Sequence, residues 1–205
     1  MKNLVCFAVK EEGAFYEAGN GTEVLYTGMG TANARKAVLK YLQDKKPGHV
    51  FSAGFAGGLD PALQLGAVVF TSQDSTISKT LQSHGARGCN FLSTEKVAIT
   101  VAEKKRLRAD SGADAVEMES QVIADICREA NIHCSIVRVI SDTALEDLPL
   151  DFNRVMTRDK RINFLKLTLR IVASPGTIPK LIAFRKKTIF ASRQLGKTLS
   201  GLTNS

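Results

Sequence analysis

Residues 23–54 read EVLYTGMGTANARKAVLKYLQDKKPGHVFSAG. The stretch opens on a short apolar run, EVLYT (23–27), and turns tightly through Gly28-Met29-Gly30. It continues as ANARKAVLKYLQDKK (32–46), where Ala34, Val38, Leu39 and Leu42 fall on one side of a helix. Pro47 and Gly48 stop that helix, and HVFSAG (49–54) is again a strand-like run. A strand, a helix and a strand in so short a span argue for a largely parallel sheet.

The pattern extends both ways. LVCFAV (4–9) is a first strand, AVVFTS (67–72) another, and HCSIVRVISD (133–142) a strong one rich in β-branched residues. A helix is expected over about 117–130, ending near Asn131. Between 73 and 110 the text yields only two short candidate strands, CNFLST (89–94) and KVAIT (96–100). Strands alternating with helices predict an α/β protein, a three-layer α/β/α sandwich around a mixed central sheet. Residues 1–150 are expected to form the main domain, and 151–205 a basic helical extension packed on or adjoining it.

Composition bounds the function. The chain has 205 residues, 44% hydrophobic and 23% charged, as expected of a globular protein with a real core. No apolar run is long enough to span a bilayer. The start, MKNLVCFAVKEEGAF, lacks a small-residue cleavage site and reads as a strand, so a cytoplasmic protein is expected. Cys6, Cys89, Cys127 and Cys134 show no C-x-x-C spacing and make no zinc-ligand pattern with the three histidines; buried thiols are expected at Cys127 and Cys134, and no metal. The net charge of +8 is uneven. Residues 154–205 hold twelve Lys and Arg against one acid, Asp159, a net +11, and the rest of the chain sums to −3. Such a tail fits an anionic surface. Nucleic acid is not expected as partner, because the tail has few aromatic residues.

In a largely parallel sheet the ligand sits beyond the carboxyl ends of the strands. That rule selects Glu11–Glu12, Gly28–Asn33, Gly54–Leu59 and Ser141–Asp142. GMGTAN (28–33) half-matches a dinucleotide fingerprint, but Asn33 replaces its third glycine. The acidic residue expected about twenty positions on is also missing, so no nicotinamide cofactor is expected. SAGFAGGLDPALQLG (52–66) is either a sharp, closely packed turn or a place where a flat ligand meets bare backbone. Glu11 and Glu12 read as acids at a helix N-terminus or as site carboxylates. Asp142 reads as a turn former or a site acid. Arg138, inside an apolar strand, requires a carboxylate partner.

FAVKEEGAF (7–15), TGMGTANAR (27–35), SAGFAGGLDPALQLGAVV (52–69), AVEMES (115–120) and VRVISDTA (137–144) occur in that order. Together they resemble the nucleoside phosphorylase/nucleosidase superfamily, and within it the methylthioadenosine/S-adenosylhomocysteine nucleosidases. The resemblance implies a phosphorylase/hydrolase-like fold that cleaves the N-glycosidic bond of an adenine nucleoside, with water as co-substrate and no cofactor. It implies Asp142 as the general acid toward the base, oriented by Ser141, and Glu12 as the group that activates water. Met118 would lie against the ribose, Glu119 would accept its hydroxyls, and Glu117 would sit beside them. Gly54 and Phe55 would border the nucleophile pocket, where relatives often carry a small hydroxyl residue in place of Phe55. Val97 is the candidate base contact, in a span from Gly66 to Glu117 that is shorter than in those nucleosidases. Relatives often complete their pockets as homodimers.

Two alternatives remain open here: phosphorolysis on the same fold, with phosphate as co-substrate, and a non-catalytic module that binds a nucleoside or a membrane. The short chain is also similar to the hopanoid-associated phosphorylase-like branch, which implies a lipid-linked substrate such as adenosylhopane. The tail helix (178–202) carries Leu181, Phe184, Thr188, Ala191, Leu195, Leu199 and Leu202 on one mostly apolar face. It either rests peripherally on an anionic bilayer or packs on the body with its charges solvated.

Overall fold

The computed structural model of the protein describes residues 2–157, 159–160 and 163–204. Arg158 and Arg161, two of the basic residues of the tail, lie outside the described residues. Eight strands form one mixed sheet: β1 (Asn3–Phe7), β2 (Thr22–Tyr26), β3 (His49–Gly58), β4 (Val68–Ser72), β5 (Arg87–Gly88), β6 (Phe91–Ser93), β7 (Ala115–Glu117) and β8 (His133–Asp142). The main path runs β2-β1-β3-β8-β4-β5. The pairs from β2 to β8 are parallel, β4 runs antiparallel to β8, and β5 is parallel to β4. The short β7 pairs antiparallel with the last residues of β3, Gly57 opposite Val116 and Gly58 opposite Ala115, and brings β6 with it.

Alternation along β1 explains the layers. Leu4 and Cys6 face a cluster with Ala34 and Val38 of α1 (Thr31–Asp44) and Val122, Ile123 and Ile126 of α4 (Ser120–Glu129). Val5 and Phe7 face the opposite cluster, with Leu81 of α2 (Ser75–Ser83) and Ala191, Leu195 and Leu199 of α7 (Thr177–Thr203). The sheet is therefore buried between two helical layers, the expected three-layer sandwich.

The second half of α7 is part of this core: Ala191, Leu195 and Leu199 have no exposed surface. Pro179 lies in the first turn of α7, where a missing N–H costs no helical bond. The first half of α7 and the preceding α6 (Phe164–Ala173) are more open, with Leu165, Leu169, Ile178 and Ile182 exposed.

Several expectations change. KVAIT (96–100) is not a strand; it leads into α3 (Val101–Ser111), which the apolar pattern does not reveal because charged residues fill most of its turns. Its ends are marked instead by a capping box, Thr100 with Glu103, and by Gly112 in the left-handed region at φ 69°. A second helix, α2, also occupies the region where only strands were expected; Asp74 caps it by accepting from the N–H groups of Thr76 and Ile77. The helix expected from 117 begins at Ser120, because Ala115–Glu117 is drawn into the sheet as β7. Leu39 of α1 is exposed and takes no part in the core.

Candidate active site

A cavity of about 250 Å³ opens at the carboxyl ends of β1, β3, β7 and β8. Glu12, Phe55, Val97, Glu117, Met118, Glu119, Ser141 and Asp142 all line it. Gly54 does not. It stands behind the wall, where an added Cβ would come 2.6 Å from Glu12 Oε1 and 2.7 Å from Arg138 Nη1. Its service is space for those two side chains, and direct ligand contact is not its role.

Glu12 sits in a tight turn after β1, so the helix N-terminus reading of Glu11–Glu12 does not hold. The turn folds the carboxylate back onto the backbone. Its Oε2 accepts from the N–H of Ala8 at 2.7 Å and of Val9 at 3.2 Å, and its Oε1 from the N–H of Phe55 at 2.9 Å. Burial raises its pKa, against the pull of Arg138 and these amides. From below, the Ser192 hydroxyl of α7 contacts the carbonyls of Glu11 (2.8 Å) and Glu12 (3.1 Å). The tail helix thus holds the turn in place.

Arg138 of β8 has the carboxylate its burial requires. Its Nη2 lies 2.6 Å from Glu117 Oε2, 3.2 Å from Ser52 Oγ and 3.9 Å from Glu119 Oε2. Burial works to raise the Glu117 pKa. The Arg138 charge, the Ser93 hydroxyl and hydrogen bonds from Glu119 and Ser120 outweigh it and leave that pKa lowered. Glu119 is treated differently. Burial and the neighbouring Glu12 push its pKa up to about 7, against the opposing pull of Arg138 and the Gly30 amide. Gly30, at φ 84°, aims its N–H at Glu119 Oε1 over 2.7 Å. The GMG turn therefore serves a carboxylate of the cleft.

Ser141 donates to Asp142 Oδ1 at 2.8 Å. Asp142 Oδ2 receives a hydrogen bond at 2.6 Å from the ammonium of Lys104 on α3. Lys104 is completely buried and also donates to the carbonyls of Thr143 (2.7 Å) and Glu146 (3.0 Å). Burial raises the Asp142 pKa; Lys104 and Ser141 oppose that rise. Sequence reasoning missed Lys104 because it missed α3. The capping box and Gly112 were the available signals for the helix, and nothing local marks which of its lysines turns inward.

The remaining wall is mostly apolar, with Met29, Val97, Leu148, Phe152, Met156 and Phe184, and carries Thr94 and the exposed Lys96 at its edge. Val97 contributes its side chain, since its N–H and carbonyl are engaged at 2.9 Å each by the side-chain amide of Asn153. Phe152 and Met156 bracket the short helix α5 (Phe152–Val155), and Phe184 belongs to α7, so residues on both sides of position 150 line one cavity. Among the described residues no group of three or more His, Cys, Asp or Glu could hold a metal ion. A cleft with carboxylates at one end, an apolar wall and a buried acid paired to a cation can grip a polar ring, stabilise positive charge on it and protonate a leaving group.

The comparisons agree with this architecture. The model of the phosphorylase superfamily matches residues 10–89 and 83–173. The fold is similar to that of Campylobacter jejuni 5′-methylthioadenosine/S-adenosylhomocysteine nucleosidase, with a TM-score of 0.72 at 16% identity over 100% of this chain and 99% of that one. Futalosine hydrolase of Helicobacter pylori gives a TM-score of 0.71 at 14% identity over 98% and 97% of the two chains. The Neisseria meningitidis nucleosidase in complex with methylthio-immucillin-A gives 0.71 at 17% identity over 100% and 99%. A family match over most of its length, on this fold, places the chain in the phosphorylase superfamily, as an enzyme of the nucleosidase or phosphorylase kind.

Proposed function

We propose that the protein hydrolyses the N-glycosidic bond of an adenine nucleoside. The observation that carries this reading is the meeting of Glu12, Glu119 and Asp142, remote in sequence, around one cavity. Cleavage builds positive charge on the sugar and negative charge on the base. Asp142, oriented by Ser141, delivers a proton to the base. Glu119 accepts hydrogen bonds from the ribose hydroxyls, with Met118 against the sugar, and its carboxylate stabilises the oxocarbenium-like transition state. Glu12 activates water. Phe55 closes the nucleophile side, and Val97 touches the base.

Hydrolysis is favoured over phosphorolysis by charge. Three buried acids, Glu12, Glu117 and Glu119, line the cleft, the positive charge of Arg138 is already engaged by Glu117 and Glu119, and the lysine of the lining, Lys96, is exposed to solvent. A phosphate dianion meets repulsion there; water does not. Incubation with adenosine or 5′-methylthioadenosine, with and without phosphate, tests this. The expected products are adenine and the free sugar in both conditions; a sugar 1-phosphate formed only with phosphate would assign the phosphorolytic alternative.

A lipid-linked nucleoside, of which adenosylhopane is one, is supported by two observations. The apolar wall of Leu148, Phe152, Met156 and Phe184 suits an apolar substituent. Leu165, Leu169, Ile178 and Ile182 are exposed on α6 and the start of α7, in a segment that also exposes Lys180, Arg185 and Lys186. That composition fits peripheral contact with an anionic bilayer.

A further inference from the structure

Lys104 has no surface, does not line the cavity and is used by no step above. Its three contacts are nevertheless specific. The carbonyls of Thr143 and Glu146 can only accept, so two ammonium hydrogens are committed to the turn after β8. The third points at Asp142 Oδ2, 2.6 Å away. The carboxyl is thus clamped on both oxygens, by Ser141 on Oδ1 and by Lys104 on Oδ2.

We propose that Lys104 is a positioning residue for the general acid: one ammonium hydrogen fixes the orientation and charge balance of the Asp142 carboxyl, and the other two lock the turn that carries it. This rests on the reading of Asp142 as the proton donor. A carboxyl buried without a cation holds its proton too tightly to release it to a purine; a buried ammonium beside it strengthens the acid. The pair thus sets burial and charge against each other on one proton, with the cation supplied from outside the cavity, where it cannot touch the substrate. The other charged groups around Asp142 are Glu12, Lys96, Glu117 and Glu119, which line the cavity with it, Glu146 and Asp147 in the following turn, and Lys180 and Lys187 on α7. Lys187 is engaged by Glu146, which leaves Lys104 as the cation in direct contact with the acid among the described residues.

The test is the pH dependence of kcat/KM for adenine release from 5′-methylthioadenosine, with Lys104→Met, Lys104→Gln and Lys104→Arg beside wild type. Loss of the charge makes Asp142 keep its proton to higher pH. The alkaline limb should therefore move up by about 1–3 units in the Met and Gln variants. The plateau kcat should fall on the order of tenfold as the acid weakens, with little change in KM. Arg, which keeps the charge, should return the limb toward wild type. A loss of activity with the limb unmoved would overturn the proposal and leave Lys104 a packing residue. The Gln variant carries the same expectation if Met fails to fold. The Asp142 carboxyl, followed by carbon-13 NMR titration, should rise by the same interval in the neutral variants. That measurement decides the role of Lys104 even if the wild type cleaves no nucleoside, a result that would instead defeat the reading of Asp142 as a catalytic acid.

Discussion

Glu117 and Glu119 stand two residues apart and reach the same guanidinium, yet their carboxyls are driven in opposite directions. Glu117 takes the short contact to Arg138 and is held as a carboxylate; Glu119, at 3.9 Å and beside Glu12, sits near pH 7. The native state therefore keeps a proton on Glu119 that the unfolded chain releases near its ordinary value of 4.5. Because the native state binds more protons in that interval, the contribution of this group to stability falls as pH rises from about 4.5 to 7. At about 1.4 kcal/mol per unit, the effect is on the order of 3 kcal/mol. Glu119→Gln should flatten the fall when urea unfolding is measured at several pH values. The same variant should lower kcat about 10²–10³-fold, as expected when a transition-state charge partner is removed. An unchanged pH profile of stability would contradict the electrostatic assignment. At this scale the sequence was informative wherever chemistry and position coincide: Arg138 in an apolar strand announced a carboxylate, and Glu117 answers it. The division of labour between the two glutamates was hidden, because it depends on about an ångström of distance between β8 and the turn from β7 into α4.

Among the elements, α7 links the core to the chemistry. Ser192 holds the Glu12 turn, and one helical turn later Gly196 lets the helix approach the chain so closely that a Cβ there would meet the Phe15 carbonyl oxygen at 2.2 Å. Alanine gains about 1 kcal/mol in a helix over glycine, but a clash against backbone costs about 1–3 kcal/mol. Gly196→Ala should therefore be net destabilising, by up to about 2 kcal/mol, read by urea denaturation. It should also reduce kcat, because the displaced segment carries Glu12. A stabilised variant with full activity would contradict the buttress. The apolar face of α7 could be read from its spacing, and Ala191, Leu195 and Leu199 are buried as that spacing requires. The helix α3 could not be read this way: it carries no apolar stripe, and its capping signals sit in a stretch that resembles a strand. The short β7 was equally opaque, since three residues join a sheet only through the partner strand that receives them.

The whole molecule sets a charged, partly apolar outer segment beside an acidic cleft. No helix among the described residues is long and apolar enough to cross a membrane. Peripheral contact would rest on the exposed Leu165, Leu169, Ile178 and Ile182 with the basic residues around them, at about 1 kcal/mol per lysine or arginine near an anionic surface. The protein should sediment with phosphatidylglycerol vesicles at low salt and be released at high salt or by Ile182→Asp. It should ignore phosphatidylcholine vesicles. Failure to bind either kind would leave the tail charges simply solvated. The layer order was legible in the alternation of strands and helices, but the path of the tail was not. Its spacing is that of any amphipathic helix, and only the assembled sheet decides that the second half closes the core while the first half lines the cleft. In the proposed function this cleft breaks a glycosidic bond. The most direct measurement is free adenine released from a panel of adenine nucleosides by wild type and by Asp142→Asn, alongside adenine binding by both. Release by wild type, a loss of about 10²–10⁴-fold in the variant and adenine binding by both proteins is the predicted result; adenine binding without release from any nucleoside by the wild type would contradict it.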